Sequence, residues 1–359
     1  MNWIYIERYG TLSCMELIPR GLYVPLITPF TAEGAVAPDA LEKLAHDVID
    51  CGAAGLVALG TTGEAATLTA PERRTVLDVC ARVCRERGAT LIAGAGSNDT
   101  AATARALHGL TARPEVAAAL TVVPYYTRPS EEGVVAHYTR LAADSPVPLI
   151  VYNIPYRTGR PLSCQTLLRL AAVPGIAGVK HAAGAVDQDT VMLMASVPAG
   201  FAVLAGDDVF APALLALGAA GGILASAHVC TSEFADLVTA WHGGYTERAR
   251  ELGHRLAPLA AALFAEPNPA VIKGTLYALG KIPSPTVRLP LLPARQDTVH
   301  AAVTLLDRAH APSARRSSRQ LDWQPGASGL PGSITTSARL RSSTSLVVQM
   351  PITRAGPDL

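Results

Sequence analysis

The sequence has few charged residues, no long uninterrupted apolar run and only scattered cysteines. Charged residues make up 16% of 359 residues and the net charge is +1, which provides no basic surface for a nucleic-acid backbone. Charge, glycine or proline interrupts every apolar stretch before the roughly 18 residues that a membrane helix needs. The six cysteines include no Cys-X-X-Cys pair, so neither a disulfide framework nor a zinc cage is predicted. We expect no nucleic-acid partner and no membrane partner.

Several motifs are also missing. The nine histidines form no His-Glu-X-X-His motif and no His-X-His pair at the end of an apolar run, so we expect no metal site. The N-terminus lacks the apolar block and small-residue cleavage site of a signal peptide, which predicts a cytoplasmic protein. No Gly-X-Gly-X-X-Gly follows the first apolar run, which disfavours a doubly wound dinucleotide-binding sheet.

Apolar residues are abundant, at 49%, and many are grouped in eight short runs of strand length. Longer segments with the apolar spacing of helices separate the runs. Near-continuous apolar strands are typical of parallel sheets buried on both faces, and eight such βα units predict an α/β fold of the (β/α)8 TIM barrel type. The runs are residues 22–30, 55–60, 90–96, 118–126, 148–153, 175–180, 202–206 and 221–226.

Composition divides the chain into four parts. We predict an N-terminal extension at 1–20, the barrel at 21–230 and a helical region of about three additional helices at 231–311. Residues 312–359 contain no Lys and no Glu, nine Ser and a net charge of +4, whereas the rest of the chain carries −3. This C-terminal segment is predicted to be a low-complexity, disordered tail.

Chemistry in such barrels occurs at the carboxyl ends of the strands, so the residues that end each run are the candidates. Lys180 ends the sixth run. A desolvated lysine has a lowered pKa, and its neutral amine can condense with a ketone to form an imine. The alternative is a lysine whose charged end reaches solvent at the barrel rim.

Two further strand ends carry hydroxyl groups. The second run is followed by GTTGE (residues 60–64), whose amides and threonine hydroxyls could hold a carboxylate, or which could be an ordinary turn. The fourth run ends in Tyr125 and Tyr126. Tyr152 lies at the end of the fifth, and Tyr156 and Arg157 follow directly. These side chains could supply proton donors and a carboxylate-binding fork, or the tyrosines could serve only in packing.

The seventh run ends in Asp207 and Asp208. Paired carboxylates at a strand end could bind a metal or cap the helix that follows. The sequence favours capping, because aspartate is among the residues preferred at the start of a helix.

Taken in order, the strand-end motifs resemble the Schiff-base, pyruvate-dependent lyases of the dihydrodipicolinate synthase and N-acetylneuraminate lyase family. The resemblance extends from about residue 21 to residue 310. It is carried by GTTGE (60–64), TVVPYYTRPSEEG (121–133), YNIPYRTG (152–159), GVK (178–180), LAGDD (204–208), EPNP (266–269) and RLPLLP (288–293).

This resemblance implies the roles of the catalytic residues. Lys180 would form the imine with pyruvate, and Tyr152 beside it would donate and accept protons. Thr61 and Tyr126 would complete a hydroxyl relay to solvent. In the family the residue at the Tyr126 position reaches into a neighbouring subunit, which implies a homodimer or homotetramer. No cofactor is implied beyond the covalent pyruvate imine on Lys180.

The resemblance also implies which residues bind the two small-molecule substrates. Thr62 and the adjacent amides would hold the pyruvate carboxylate, and the backbone at Ile223 would close the site. Arg157 would manage carboxylates at the pocket mouth, which favours a 4-hydroxy-tetrahydrodipicolinate synthase activity with pyruvate and L-aspartate 4-semialdehyde, in lysine and diaminopimelate biosynthesis. Gly184 and the Gly-Asp-Asp run would shape the pocket.

Two departures from the synthase pattern leave the second substrate open. His181 replaces an acidic residue after the lysine, and Tyr156 replaces a small residue beside the arginine. A related 2-oxo acid or sugar-acid aldolase is therefore the first alternative. Ala70 and Ala102 occupy positions that contribute polar groups to a lysine inhibitory site in the family, which predicts weak or absent lysine feedback.

Two alternatives come from other functional classes. One is a catalytically silent barrel that acts as a binding or regulatory module, although it would have no need for an amine and three hydroxyls around one cavity. The other is a phosphate-binding isomerase, which requires a glycine-rich loop after strands seven and eight. It is disfavoured because the Gly221-Gly222 pair comes before the core of the eighth run.

Overall fold

A computed structural model describes residues 19–310, and eight parallel strands in it close into a barrel in sequence order. Each strand pairs with the next along the chain, and β8 pairs with β1 through Tyr23 and Ile223. The predicted α/β barrel is therefore confirmed. The strands are β1 Gly21–Pro25, β2 Gly55–Ala58, β3 Thr90–Gly94, β4 Val116–Val122, β5 Leu149–Asn153, β6 Ile176–His181, β7 Ala202–Ala205 and β8 Gly221–Ile223.

Helices connect the strands and cover the barrel, and their ends follow the local sequence. In α2, the Thr69 and Glu72 side chains form a reciprocal capping box at the start, and Gly88 ends the helix in the left-handed conformation. The helices are α1 Pro38–Asp50, α2 Ala70–Arg87, α3 Thr100–His108, α4 Glu131–Asp144, α5 Pro155–Thr158, α6 Cys164–Ala171, α7 Gln188–Ser196, α8 Ala211–Ala216, α9 Thr231–His242, α10 Thr246–Leu263, α11 Ala270–Ala278 and α12 Gln296–His310.

The core has two layers, because successive strand residues face opposite sides of the sheet. One layer lies between the barrel and its helices, and the other fills the barrel interior. The inner layer includes Tyr23, Val57, Leu120, Tyr152 and Ile223. The interior is packed, so open space for a substrate has to lie above this layer, at the carboxyl ends of the strands.

Within residues 19–310, four helices follow β8, one more than the sequence predicted for 231–311. The first, α9, packs against β1 and so supplies the eighth helix of the barrel. Helix α10 contacts the short turn Asp208–Phe210 after β7, and α11 contacts the turn Ala225–His228 after β8. The C-terminal helices therefore reach the end of the barrel that carries the candidate residues.

One predicted strand is shorter in the structure, and two predicted segments lie outside the described residues. The first apolar run, 22–30, forms a strand only as far as Pro25, and Phe30 makes an isolated bridge with Val36. The N-terminal extension before residue 19 and the predicted disordered tail at 312–359 lie outside the described residues, and the domain boundaries stay predictions. Within residues 19–310, no helix is both long enough and apolar enough to cross a membrane.

Candidate active site

Lys180 lies buried at the end of β6, opposite Tyr152 on β5. The two residues are register partners across the parallel strands, and the Lys180 Nζ lies 4.3 Å from the centroid of the Tyr152 ring. Burial lowers the Lys180 pKa to about 8, against the opposing effect of the Asp208 and Asp207 carboxylates. The side chain is therefore a buried amine with a raised neutral fraction, as the nucleophile of an imine requires.

Gly206 provides the space that Lys180 occupies. A Cβ atom at position 206 would lie 2.9 Å from the Lys180 Cγ, 3.0 Å from the Ala182 Cβ and 3.1 Å from the His181 carbonyl oxygen. These distances are shorter than ordinary carbon contacts. The first residue of the Gly-Asp-Asp run thus leaves room for the stem of the lysine.

Tyr152 is held as a protonated phenol. Its side chain is buried in the inner layer, and burial raises its pKa above the ordinary value for tyrosine. The nearby Arg157 charge lowers that pKa, but burial is the larger effect. A phenol that keeps its proton beside a buried amine has the protonation state of a general acid.

The GTTGE segment forms a tight turn after β2, with a 3-10 helix at Thr61–Gly63. Thr62 is buried, and its Oγ1 accepts a hydrogen bond of 2.9 Å from the Asn268 side-chain amide. Because Asn268 fills one lone pair of that oxygen, the Thr62 hydroxyl proton is left to donate to another group. Thr28 donates to the Gly63 carbonyl oxygen at 2.7 Å and anchors the turn to the chain after β1.

The EPNP motif was part of the resemblance, but the contact of Asn268 with Thr62 could not be predicted from it. Residues 62 and 268 are 206 positions apart, and Asn268 precedes α11 in the C-terminal helical region. The signal in the sequence was only an asparagine beside proline. Its role depends on where α11 packs.

Three of the predicted site residues lie at the surface of the single chain. Thr61, Tyr126 and Arg157 are exposed, and Tyr126 has 88% of its surface accessible with a left-handed φ of 68°. Among residues 19–310, no hydrogen bond joins Tyr126 to Thr61 or Tyr152. The Arg157 guanidinium lies 5.5 Å from the centroid of the neighbouring Tyr156 ring. Ile223, by contrast, is fully buried beside Tyr23.

The expectation that Asp207 and Asp208 cap the next helix is wrong. An Asp208 carboxylate oxygen accepts the Ser226 backbone N–H at 2.5 Å, and Asp207 accepts that of Gly184 at 2.6 Å. Neither side chain bonds the start of the turn that follows β7. Burial raises the Asp208 pKa to about 6. The two acids instead connect β7 to the loops after β6 and β8, beside Lys180.

His181 lies on the face of β6 opposite Lys180, against α7. Its Nε2 is 3.0 Å from the Thr190 hydroxyl, and that hydroxyl donates to Asp187 at 2.7 Å. Thr190 therefore accepts the Nε2 proton, which leaves Nδ1 to accept from the Asn153 amide at 3.3 Å. Burial lowers the His181 pKa, in keeping with a neutral ring.

Metal ligands do not converge in the described part of the chain. Across residues 19–310, no group of three or more His, Cys, Asp or Glu side chains is arranged to hold a metal ion. The paired acids after β7 have no third ligand of these types nearby. The absence of a metal site stays an expectation for the whole chain.

Comparison with known proteins decides the family. The sequence model of the dihydrodipicolinate synthetase family matches residues 18–309. The chain is a member of that family. The predicted resemblance is therefore confirmed.

Individual members of the dihydrodipicolinate synthetase family match in sequence and in structure. The 4-hydroxy-tetrahydrodipicolinate synthase of Moorella thermoacetica is 41% identical over 272 residues, which cover 76% of this chain and 92% of that protein. A chloride-inhibited dihydrodipicolinate synthase from Acinetobacter baumannii, in complex with pyruvate, superposes with a TM-score of 0.77 at 35% identity, covering 81% of this chain and 98% of the other. A Cyanidioschyzon merolae family member with lysine bound gives a TM-score of 0.76 at 31% identity, covering 81% and 98%.

Proposed function

We propose that the protein is a 4-hydroxy-tetrahydrodipicolinate synthase, which condenses pyruvate with L-aspartate 4-semialdehyde through an imine on Lys180. The observation that carries the proposal is the buried Lys180 amine against the Tyr152 ring at the carboxyl end of the barrel. The name of the Moorella thermoacetica relative supports the same activity. The pyruvate complex of the Acinetobacter baumannii protein supports pyruvate as the first substrate.

In this mechanism the neutral Lys180 amine attacks the ketone of pyruvate, and loss of water gives the imine. Tyr152 donates a proton to the departing oxygen and later removes one from the methyl carbon, which forms an enamine. The enamine carbon attacks the aldehyde. The amino group of the acceptor then displaces Lys180 from the imine, which closes the product ring and frees the amine for another cycle.

The remaining site residues have binding and relay roles in this proposal. Thr62 donates its free hydroxyl proton to the pyruvate carboxylate, and the backbone at Ile223 closes the opposite side. Arg157 binds the carboxylate of the second substrate at the mouth. Thr61 and Tyr126 carry protons between Tyr152 and solvent.

The relay requires a second copy of the chain. Tyr126 is almost fully exposed in a single chain and adopts a left-handed backbone conformation, which is costly for a bulky residue. An exposed aromatic side chain in a strained backbone supports a role in contact with another subunit. We propose a homodimer as the smallest active unit, with a tetramer as the larger assembly.

The reaction needs no cofactor in this proposal, because the imine itself is the electron sink. We also propose that the enzyme acts in the cytoplasm. The five described cysteines, Cys51, Cys80, Cys84, Cys164 and Cys230, are all free thiols, as a reducing compartment favours.

A related 2-oxo acid or sugar-acid aldolase is the second candidate, and Tyr156 favours it. This aromatic side chain is 60% exposed and lies next to Arg157. In this alternative it narrows the space left for the acceptor aldehyde. The imine chemistry on Lys180 is the same in both candidates. They differ only in the aldehyde.

Borohydride reduction in the presence of pyruvate tests the proposal. Intact mass and peptide mapping should locate a reduced pyruvate adduct on Lys180, and Lys180→Ala should give none. Lys281→Ala is the matched control, because Lys281 is partly exposed and pairs with Asp47 at 3.7 Å. Turnover with aspartate semialdehyde, compared with a panel of sugar-derived aldehydes, then separates the two candidates.

Failure of the trapping experiment would change the conclusion. Folded wild-type protein without an adduct would overturn the lyase assignment and favour a catalytically silent barrel. An adduct on a different lysine would overturn the role of Lys180 alone.

A further inference from the structure

A fully buried ion pair lies next to the turn that carries Thr62. Glu64, two residues further along, contacts the Lys273 Nζ at 2.5 Å, and the two side chains are 1% and 0% exposed. Lys273 also donates to the Thr286 carbonyl oxygen at 2.9 Å and lies 3.9 Å from the centroid of the Phe30 ring. The ammonium is therefore surrounded by one carboxylate, one carbonyl and an aromatic face.

Both carboxylate oxygens of Glu64 are bonded to the C-terminal helical region. The second oxygen accepts the Arg288 backbone N–H at 2.9 Å. The Arg288 side chain continues the contact by donating to the Thr67 carbonyl oxygen at 2.9 Å and to the Gly34 carbonyl oxygen at 2.8 Å. The turn at 61–67 is thus held near its middle and at its end by residues more than 200 positions away.

Stability alone does not explain this arrangement. Removing two charges from water is expensive, and apolar residues of similar volume often replace a buried ion pair without loss of stability. The ion pair instead has a local effect on the backbone conformation at Glu64. Glu64 has a left-handed backbone, with φ 53° and ψ 34°, a conformation that a non-glycine residue keeps only when its surroundings enforce it.

The direction of the chain at Glu64 determines where the preceding residues lie. Thr62 and the amides around it form the proposed site for the pyruvate carboxylate, and Asn268, which bonds the Thr62 hydroxyl, precedes the same helix α11 that carries Lys273. Helix α11 and the residue shortly before its start therefore hold the turn at two points. The contacts couple the shape of the carboxylate site to the C-terminal region.

We propose that Glu64, Lys273 and Arg288 are positioning residues that hold the Thr62 turn in the conformation that binds the carboxylate of the 2-oxo acid. The inference rests on the proposed function, because it assumes that Thr62 binds pyruvate. None of the three residues touches the reacting atoms. Their effect is on recognition of the carboxylate rather than on the chemistry of the lysine.

The test compares two ketones in borohydride trapping: pyruvate, which has the carboxylate, and hydroxyacetone, a neutral methyl ketone. The main variant is the double substitution Glu64→Gln with Lys273→Met, which removes both buried charges and leaves neither unpaired. We expect the half-saturating concentration of pyruvate to rise at least about tenfold, as for loss of one hydrogen bond to a charged group. Trapping by hydroxyacetone should keep its wild-type half-saturation, which a general loss of structure would not allow.

Arg288→Gln is the second variant and keeps the proposal testable if the double variant gives no cooperative thermal unfolding. Its side chain is partly exposed. The substitution removes the side-chain contacts with Thr67, Gly34 and Glu72 and keeps the backbone N–H bond to Glu64. We expect a smaller rise for pyruvate, of about threefold, the low end for a single hydrogen bond. Lys281→Met, which breaks only a surface pair, is the matched control and should leave both ketones unchanged.

The outcomes separate the two proposals. If the double variant folds and keeps the wild-type half-saturation for pyruvate, the positioning role is overturned and the imine chemistry stands. If the double variant does not fold, the same result in Arg288→Gln overturns the positioning role. An equal rise for both ketones also overturns it, because the effect is then not on the carboxylate. Wild-type protein that forms no adduct with pyruvate overturns the proposed function and this inference together.

Discussion

Substitution of Gly206 by alanine should displace Lys180, the proposed imine-forming lysine, without touching the substrate. The new Cβ would lie 2.9 Å from the Lys180 Cγ, and two further atoms, the Ala182 Cβ and the His181 carbonyl oxygen, lie within 3.1 Å. Optimal contacts between carbon atoms are about 3.5–4.0 Å. The lysine stem therefore has to move by roughly 0.6–1 Å, because the other two neighbours belong to the backbone and to a buried strand end.

The size of the effect follows from that displacement. Overpacking of this kind costs about 1–3 kcal/mol of stability. A misplacement of about 1 Å at a reacting centre lowers rates by about 100-fold, so a smaller shift gives on the order of 10-fold to 100-fold. We expect the rate of pyruvate trapping per folded molecule to fall by that factor, with a modest decrease in the melting temperature.

Single-turnover borohydride trapping, followed by intact mass, measures the rate, and near-ultraviolet circular dichroism measures the folded fraction. Gly109→Ala is the matched control, since nothing lies within 4 Å of its Cβ position and its φ is −61°. That variant should trap at the wild-type rate and gain up to about 1 kcal/mol of stability. A wild-type trapping rate in folded Gly206→Ala would show that the lysine stem does not depend on this space.

Three further predictions concern pH, the buried network behind the lysine, and regulation. The trapping rate should rise about tenfold per pH unit below pH 8 and level off above it, because Lys180 has a pKa of about 8 and only the neutral amine reacts. A rate that is flat between pH 6 and pH 8 would contradict this. His181→Leu should lower the free energy of unfolding in urea by about 1–3 kcal/mol, since it removes both buried hydrogen bonds of the ring, the one to the Thr190 oxygen and the one from the Asn153 amide. An unchanged midpoint would argue against the network. Turnover in millimolar lysine should stay close to the uninhibited rate, because Ala70 and Ala102 offer no polar side chain to the amino acid; a sharp loss of activity at submillimolar lysine would refute this.

Much of the fold could be predicted because its signals are local. Each strand of a closed parallel barrel is buried on both faces, so it reads as a short apolar run between turn residues. Lys180 could be predicted equally well, because burying a charged residue at the end of an apolar strand is costly unless a partner or a function compensates for it. The predicted strands at 22–30 and 118–126 were too long, because apolar residues also continue into loops that pack on the barrel, as Phe30 does against Lys273.

The parts that could not be predicted depend on contacts between distant segments. Glu64 ends a segment that the sequence could assign to an ordinary turn, and its buried partner Lys273 lies 209 positions later on an otherwise uncharged helix. Asp207 and Asp208 have the sequence of helix caps, but the amides they bond belong to other loops. Tyr126 is expected to serve the relay, and within residues 19–310 of one chain it forms no hydrogen bond with Thr61 or Tyr152. That role stays a prediction for the assembled protein.

The distance in sequence between the Thr62 turn and the residues that hold it, Lys273 and Arg288, also affects the order in which the site forms during synthesis. The turn leaves the ribosome about 200 residues before Lys273 and Arg288 do. At about 5–20 residues per second this is a delay on the order of 10–40 s. During that interval the strands and the first helices are already available to pair, while the left-handed bend at Glu64 has nothing to hold it. A nascent chain therefore acquires most of its barrel before the Thr62 turn is held in place, and helix α11 with the segment after it completes the proposed carboxylate site.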